Sequence, residues 1–211
     1  MHTLNSVPAL ALPIDMDSVK GFLSAPEGEA LFQCAAAMTG DAPAIEIGSY
    51  CGKSTVYLGL GCQQSGRSLF AVDHHRGSEE HQPGEFFHDP QLLDSNGEFS
   101  TLQSFRDTIR RSGLDDTVIP VLSRSVQFAG AWRGGAGLVF IDGGHSLDAA
   151  LKDYRCWAGK LERGGLLAIH DVYPCSEAGG QAPITVYRLA IASGLFAQQQ
   201  SVDSLRVLRR L

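Results

Sequence analysis

Positive charge is scarce in this chain: 17 Lys and Arg face 23 Asp and Glu, giving a formal net charge of −6 and a pI near 5.6. A broad nucleic-acid face needs clustered cations to neutralise phosphates, so no nucleic-acid partner is expected. Cys34, Cys51, Cys62, Cys156 and Cys175 form an odd set with no CxxC spacing. That argues against a disulfide framework or a structural zinc site and points to a reducing compartment. No apolar run approaches the ~18 residues of a membrane span, and MHTLNSVPALALPIDMD carries no cation ahead of its short apolar stretch. Neither a membrane partner nor a signal peptide is expected, and a cytoplasmic location follows. Internal repeats are absent too. What remains, 211 residues with 44% hydrophobic and 19% charged content, suits one globular domain spanning 1–211.

Turning to what is there, Ser24 with Glu27 three residues on forms a capping-box pattern ahead of Ala30, Leu31, Cys34, Ala35 and Met38 at helical spacing. Residues 1–23 read as an N-terminal extension. Ala44–Ile47 ends in Gly48, and a helical stretch follows Gly52 from Lys53. Further continuous apolar runs, Leu69–Asp73, Val118–Leu122, Leu138–Asp142 and Leu166–Asp171, suit parallel strands buried on both faces. Between the last two, Leu147, Ala150, Leu151, Tyr154, Trp157, Ala158 and Leu161 make a helical stripe that Ser146 can cap. A helix is expected near Ile184–Ser193, then an antiparallel edge hairpin from Phe196–Gln200 and Leu205–Leu208. The alternation predicts an α/β fold, a Rossmann-like doubly wound sheet, mostly parallel, with an antiparallel C-terminal edge hairpin. Residues 74–100 stay irregular, and so long a loop in a compact domain suits an acceptor-binding lid.

Ligands of open α/β sheets sit beyond the carboxyl ends of the strands, where Glu46-Ile-Gly48-Ser-Tyr-Cys-Gly52 lies. Gly52-Lys53-Ser54 copies the end of a phosphate-binding loop, but the spacing from Gly48 is one residue short of GxxxxGK[ST]. A GxGxxG dinucleotide pattern is absent as well. Glu46 ahead of the loop repels phosphate and attracts the ammonium of an amino-acid cofactor, which favours S-adenosylmethionine. Asp73, 27 positions after Glu46, ends the second strand where a carboxylate can accept ribose hydroxyls. Each residue also has a plain structural reading: Gly48 as a turn glycine, Asp73 as a loop acid, Lys53 as a surface cation.

Phe140-Ile-Asp-Gly-Gly-His145-Ser, then Asp153, Gly164-Gly165 and Ile169-His170-Asp171, complete an ordered series over residues 24–190. That series resembles the class I S-adenosylmethionine-dependent methyltransferases, in particular the metal-dependent sugar O-methyltransferases of macrolide and polysaccharide pathways. The resemblance implies that Glu46, Gly48 and Ser54 hold the methionine end of the donor, Asp73 its ribose, and Ser123 to Ser125, with Ser125 foremost, its adenine. It also implies a small-molecule or oligosaccharide acceptor and a homodimer.

Methyl transfer from a sulfonium needs an oxygen nucleophile held in line and stripped of its proton. His145, three residues past Asp142, is the candidate general base, since a free imidazole titrates near ~6.5 and is proton-accepting at neutral pH. Asp142 and Asp171, at the ends of neighbouring strands, can hold a hard divalent cation, Mg²⁺ or Mn²⁺. His170 is the third metal candidate; relatives commonly carry Asp or Glu there, and an imidazole suits Mn²⁺ better. The irregular segment holds His74, His75, His81 and His88 among Glu79, Glu80, Glu85 and Asp89, with Phe86, Phe87 and Phe99. His74 and His75, next to Asp73, are expected to line the acceptor pocket. Competing readings are a catechol or phenol O-methyltransferase, a P-loop-like nucleotide-binding protein and a catalytically silent binding module.

Overall fold

A computed structural model describes residues 10–78 and 89–211. His81, His88, Glu79, Glu80, Glu85, Phe86 and Phe87 lie outside the described residues. Ser24 caps α1 (Ala25–Ala36) through a reciprocal box with Glu27. β1 (Ala44–Ile47) leads through the glycine turn into α2 (Lys53–Ser65), which Gly66 ends in the left-handed conformation. Then come β2 (Leu69–Asp73), α3 (Leu102–Arg111), β3 (Val118–Leu122), α4 (Ser125–Ala131), β4 (Ala136–Ile141) and α5 (Leu147–Trp157). β5 (Leu161–Ile169), α6 (Ala182–Ala192), β6 (Phe196–Val202) and β7 (Leu205–Arg210) complete the chain.

The seven strands run in the order β3-β2-β1-β4-β5-β7-β6. Strands β1 to β5 pair in parallel, while β7 pairs antiparallel with both β5 and β6. The sheet is thus Rossmann-like, and the C-terminal hairpin inserts its second strand next to β5. Alternate residues face opposite layers. Leu138 and Phe140 of β4 join α1, α2 and α3 in one core, with Leu31, Leu58 and Phe105. Val139 and Ile141 join α4, α5 and α6 in the other, around Trp157.

Two sequence expectations change, and two helices were not among them. The run Val118–Leu122 is not buried on both faces: β3 is the sheet's edge, with Ile119 and Leu122 40% and 64% exposed. Pro120 costs no ladder bond on such an edge. Leu161 opens β5 instead of closing the α5 stripe, because the helix stops at Trp157 and a single 3-10 turn follows. Helices α3 and α4 escape the sequence reading; neither carries a side-chain N-cap. Among the described residues no helix is long and apolar enough to cross a membrane.

Trp157 is fully buried, and its Nε1 donates to Ser125 Oγ at 2.8 Å. Trp157→Ala is expected to cost about 3–5 kcal/mol, read as a lower urea midpoint with an unchanged slope.

Candidate active site

The carboxyl ends of the central strands are stepped together by backbone bonds. Gly48 N donates to Val72 O, Asp142 N to Ile47 O, and His170 N to Ile141 O. Each residue just past a strand is thereby fixed on its neighbour's end, and the glycine loop meets the β4 exit directly. Gly48 has φ +85°, and a Cβ there would lie 2.1 Å from the Asp142 carbonyl oxygen. No residue with a side chain fits that contact.

Asp73 fastens the loop from the other side. Its Oδ2 accepts from Ser49 N and Tyr50 N, both at 3.0 Å, and its Oδ1 from His75 N at 2.7 Å. A carboxylate offers about four acceptor positions, and among the described residues three are filled. Tyr50 takes φ +47°, a strained conformation that the Asp73 bonds help to hold. At Gly52 the helix α2 begins with no side-chain cap on its first-turn N–H groups.

Glu46 is completely buried beneath the loop. Ser54 Oγ donates to its Oε1 at 2.7 Å and Thr55 Oγ1 to its Oε2 at 2.6 Å. Burial raises its pKa to about 7 although those hydroxyls oppose the shift. Ser54 therefore faces Glu46, and the Gly52-Lys53-Ser54 likeness to a phosphate loop does not extend to its hydroxyl chemistry.

Past β4 and β5 the structure brings Asp142, His145, His170 and Asp171 together. His145 Nε2 lies 3.1 Å from Asp171 Oδ2, and the Tyr173 hydroxyl donates to Asp171 Oδ1 at 3.0 Å. His170 Nδ1 is 3.1 Å from Asp142 Oδ1 and 3.5 Å from Asp171 Oδ1. Atoms of Asp142, His170 and Asp171 lie within 4.8 Å of one another, close enough to share one ion. Asp171 has φ +55°, which turns its carboxylate back toward His145 and His170. Burial would raise the Asp171 pKa, yet its bond to His145 and the charge of His170 hold it down.

The partner on the far side of His170 is one that sequence reasoning missed. Glu27, read only as a helix cap, accepts from His170 Nε2 at 3.2 Å across 143 residues, and both side chains are 3% exposed. Burial alone would lower the His170 pKa, but Asp142, Glu27 and Asp171 carry it to about 11. Burial pushes Glu27 up, yet His170, Ser24 and Ser204 hold it at about 2. The capping box explained Glu27 locally, and nothing in spacing signals so distant a partner.

The remaining candidates separate. His75 is 2% exposed, its Nδ1 2.7 Å from Thr101 Oγ1 and its ring 5.0 Å from Phe105, so it packs inward and not into a pocket. His74 is half-buried, and its Nδ1 accepts from Arg76 N. Ser125 Oγ accepts from Trp157 beyond the end of β3, and Ser123 N reaches Asp73 O. The 89–100 stretch of the expected lid is anchored. Leu92 and Phe99 pack on Cys51 of the glycine loop, Arg76 pairs with Asp94 and Glu98, and Lys20 bonds Asp89.

The sequence profile of a family described as a methyltransferase domain matches residues 45–172, from β1 to just past Asp171. Among solved structures, the O-methyltransferase TomG of Streptomyces achromogenes, bound to S-adenosylmethionine, shares 14% identity at TM-score 0.62, with 90% of this chain and 81% of that one covered. The S-adenosylhomocysteine-bound methyltransferase PaMTH1 of Podospora anserina gives 13%, TM-score 0.63, and 90% and 80%. An rRNA methylase of Streptococcus thermophilus gives 14%, TM-score 0.57, and 90% and 99%. At such identities the likeness is one of fold, and its spread of acceptors leaves the acceptor to be argued from the site.

The buried acid beneath the loop has a measurable consequence. Glu46 goes from an ordinary 4.5 to about 7 on folding, so its protonated form contributes stability that is full below pH 4.5 and gone above pH 7. Glu46→Gln is expected to flatten the decline of unfolding free energy across that window, measured by urea denaturation at several pH values. An unchanged slope would show that another group causes it.

Proposed function

The chain belongs to the methyltransferase-domain family, in its class I, S-adenosylmethionine-dependent group, and from that premise we propose that it methylates a hydroxyl of a sugar or oligosaccharide acceptor. The observation that carries this reading is the meeting of Asp142, His145, His170 and Asp171 beside a glycine loop that touches the Asp142 backbone. S-adenosylmethionine supplies an electrophilic methyl group on a sulfonium. The residues fit that donor: Asp73 keeps an acceptor position for a ribose hydroxyl, and the uncapped first turn of α2 suits a carboxylate. Glu46 sets a carboxyl behind the loop, where a nearby ammonium favours its ionised form. Ser123 to Ser125 would take the adenine, a role supported by the bond from Ser123 N to Asp73 O that keeps this turn beside the ribose acid.

On the acceptor side, His145 takes the hydroxyl proton, and Asp171, bonded to its Nε2, stabilises the imidazolium that results. Three carboxylates, Glu27, Asp142 and Asp171, surround the His170 ring. A divalent cation held by Asp142, His170 and Asp171 would displace the His170 Nδ1 proton, and this mixed oxygen and nitrogen donor set suits Mn²⁺ as well as Mg²⁺. When bound, such a cation lowers the pKa of a coordinated hydroxyl and orients a diol. His74 stands next to Asp73 as the acceptor-side contact. A homodimer belongs to the same reading, supported by exposed Leu195 and Leu211, which a backbone bond joins at the sheet's far edge.

Calorimetric titration with S-adenosylmethionine and with ATP, with and without EDTA, tests the donor. A labelled-methyl screen over sugars and catechols tests the acceptor. Tighter ATP binding overturns the reading, and turnover of catechols in preference to sugars replaces its acceptor. Asp142→Asn and His145→Ala are each expected to lower turnover by on the order of 10²–10⁴-fold with donor affinity nearly unchanged. Glu46→Ala is expected to weaken donor binding first; exchanged patterns would mean the two halves of the site are wrongly assigned. EDTA is expected to abolish transfer, and added Mn²⁺ to restore it.

A further inference from the structure

Glu27 is over-provided with partners for a helix cap. Capping α1 needs one bond, from Ser24 N to Oε2 at 3.0 Å, and a capping glutamate can make it while exposed. Here the carboxylate is 3% exposed and also takes Ser204 N at 2.9 Å and Ser204 Oγ at 2.7 Å on Oε1, and His170 Nε2 on Oε2. Burying a carboxylate costs several kcal/mol unless every lone pair is used, so this much pairing implies more than the start of a helix.

The bond to His170 has a directional effect. With Nε2–H committed to Glu27, the imidazole plane is fixed and Nδ1 is aimed at Asp142 and Asp171, 3.1 and 3.5 Å away. A carboxylate behind an imidazole is the arrangement that sets tautomer and orientation in histidine ligands of metals. We propose that Glu27, though outside the segment matched by the family profile, is a positioning residue that makes His170 a cation ligand through Nδ1. The inference rests on the reading of Asp142, His170 and Asp171 as a divalent-cation site. Ser204 completes the carboxylate from the hairpin turn but touches neither His170 nor the acids by any bond of its own to them.

The test separates positioning from fastening. Mn²⁺ binding, followed by the free-ion electron paramagnetic resonance signal, is expected to weaken about 10–100-fold in Glu27→Gln while S-adenosylmethionine affinity holds. Ser204→Ala removes a bond to the same carboxylate and leaves the His170 contact, so its Mn²⁺ affinity is expected to match the parent chain. Equal losses in both variants, or none in Glu27→Gln, overturn the inference alone. A parent chain that binds S-adenosylmethionine but not Mn²⁺ overturns the cation reading and this inference with it. Nitrogen-15 resonances of His170 in the unsubstituted, Mg²⁺-saturated protein provide a check that needs no variant: Nε2 protonated and Nδ1 unprotonated is the result expected, and the reverse tautomer overturns it.

Discussion

The approach of two backbones at Gly48 is the constraint on which the rest of the site depends. A single Cβ there would collide with the Asp142 carbonyl, so the glycine loop and the β4 exit are held at a distance only a glycine permits. Everything polar at that edge is then set out from this contact. Asp73 clamps the loop on one side, and the β4 exit carries Asp142 and His145 on the other. Because both belong to the stepped ends of adjacent parallel strands, the two halves of the site share one rigid frame.

Charge burial follows a consistent logic across that frame. Isolated carboxylates inside a protein shift toward neutrality, as Glu46 does with hydroxyl donors and no cation beside it. Carboxylates with a cationic partner stay ionised, as Glu27 does against His170. The two glutamates thus shift in opposite directions: Glu46 lies deeper and meets only hydroxyls, while Glu27 also faces an imidazole. The acids facing outward, Asp142 and Asp171, retain about a fifth of their side-chain exposure, which keeps them open to a ligand.

Much of this architecture could be read in the residues because local signals and tertiary roles coincide. Ser24 and Ser146 cap the helices that their spacing predicts, and the apolar runs of β1, β2, β4 and β5 are central strands. Helices α3 and α4 were not legible, since Thr101 and Arg124 give no side-chain cap and α4 has only seven residues. The edge position of β3 was hidden because its composition resembles that of a central strand. At the candidate site, the strand-end positions of Asp142, His170 and Asp171 and the motif series that carries His145 pointed to residues that the structure brings together. Glu27 was not, because its local role as a cap left no sign of a partner 143 residues away, and His75 looked accessible only because its turn inward at φ +56° leaves no mark in sequence.

The bond from Ser204 to Glu27 also ties the site to the order in which the chain is made. Glu27 leaves the ribosome 177 residues before the serine that completes its hydrogen bonds, and the β7 strand that flanks β5 emerges only after that. Until the β6–β7 hairpin docks, the carboxylate behind His170 lacks half of its partners and β5 lacks its antiparallel neighbour. Assembly of this edge of the sheet is therefore a long-range event that joins α1 to a hairpin far along the chain.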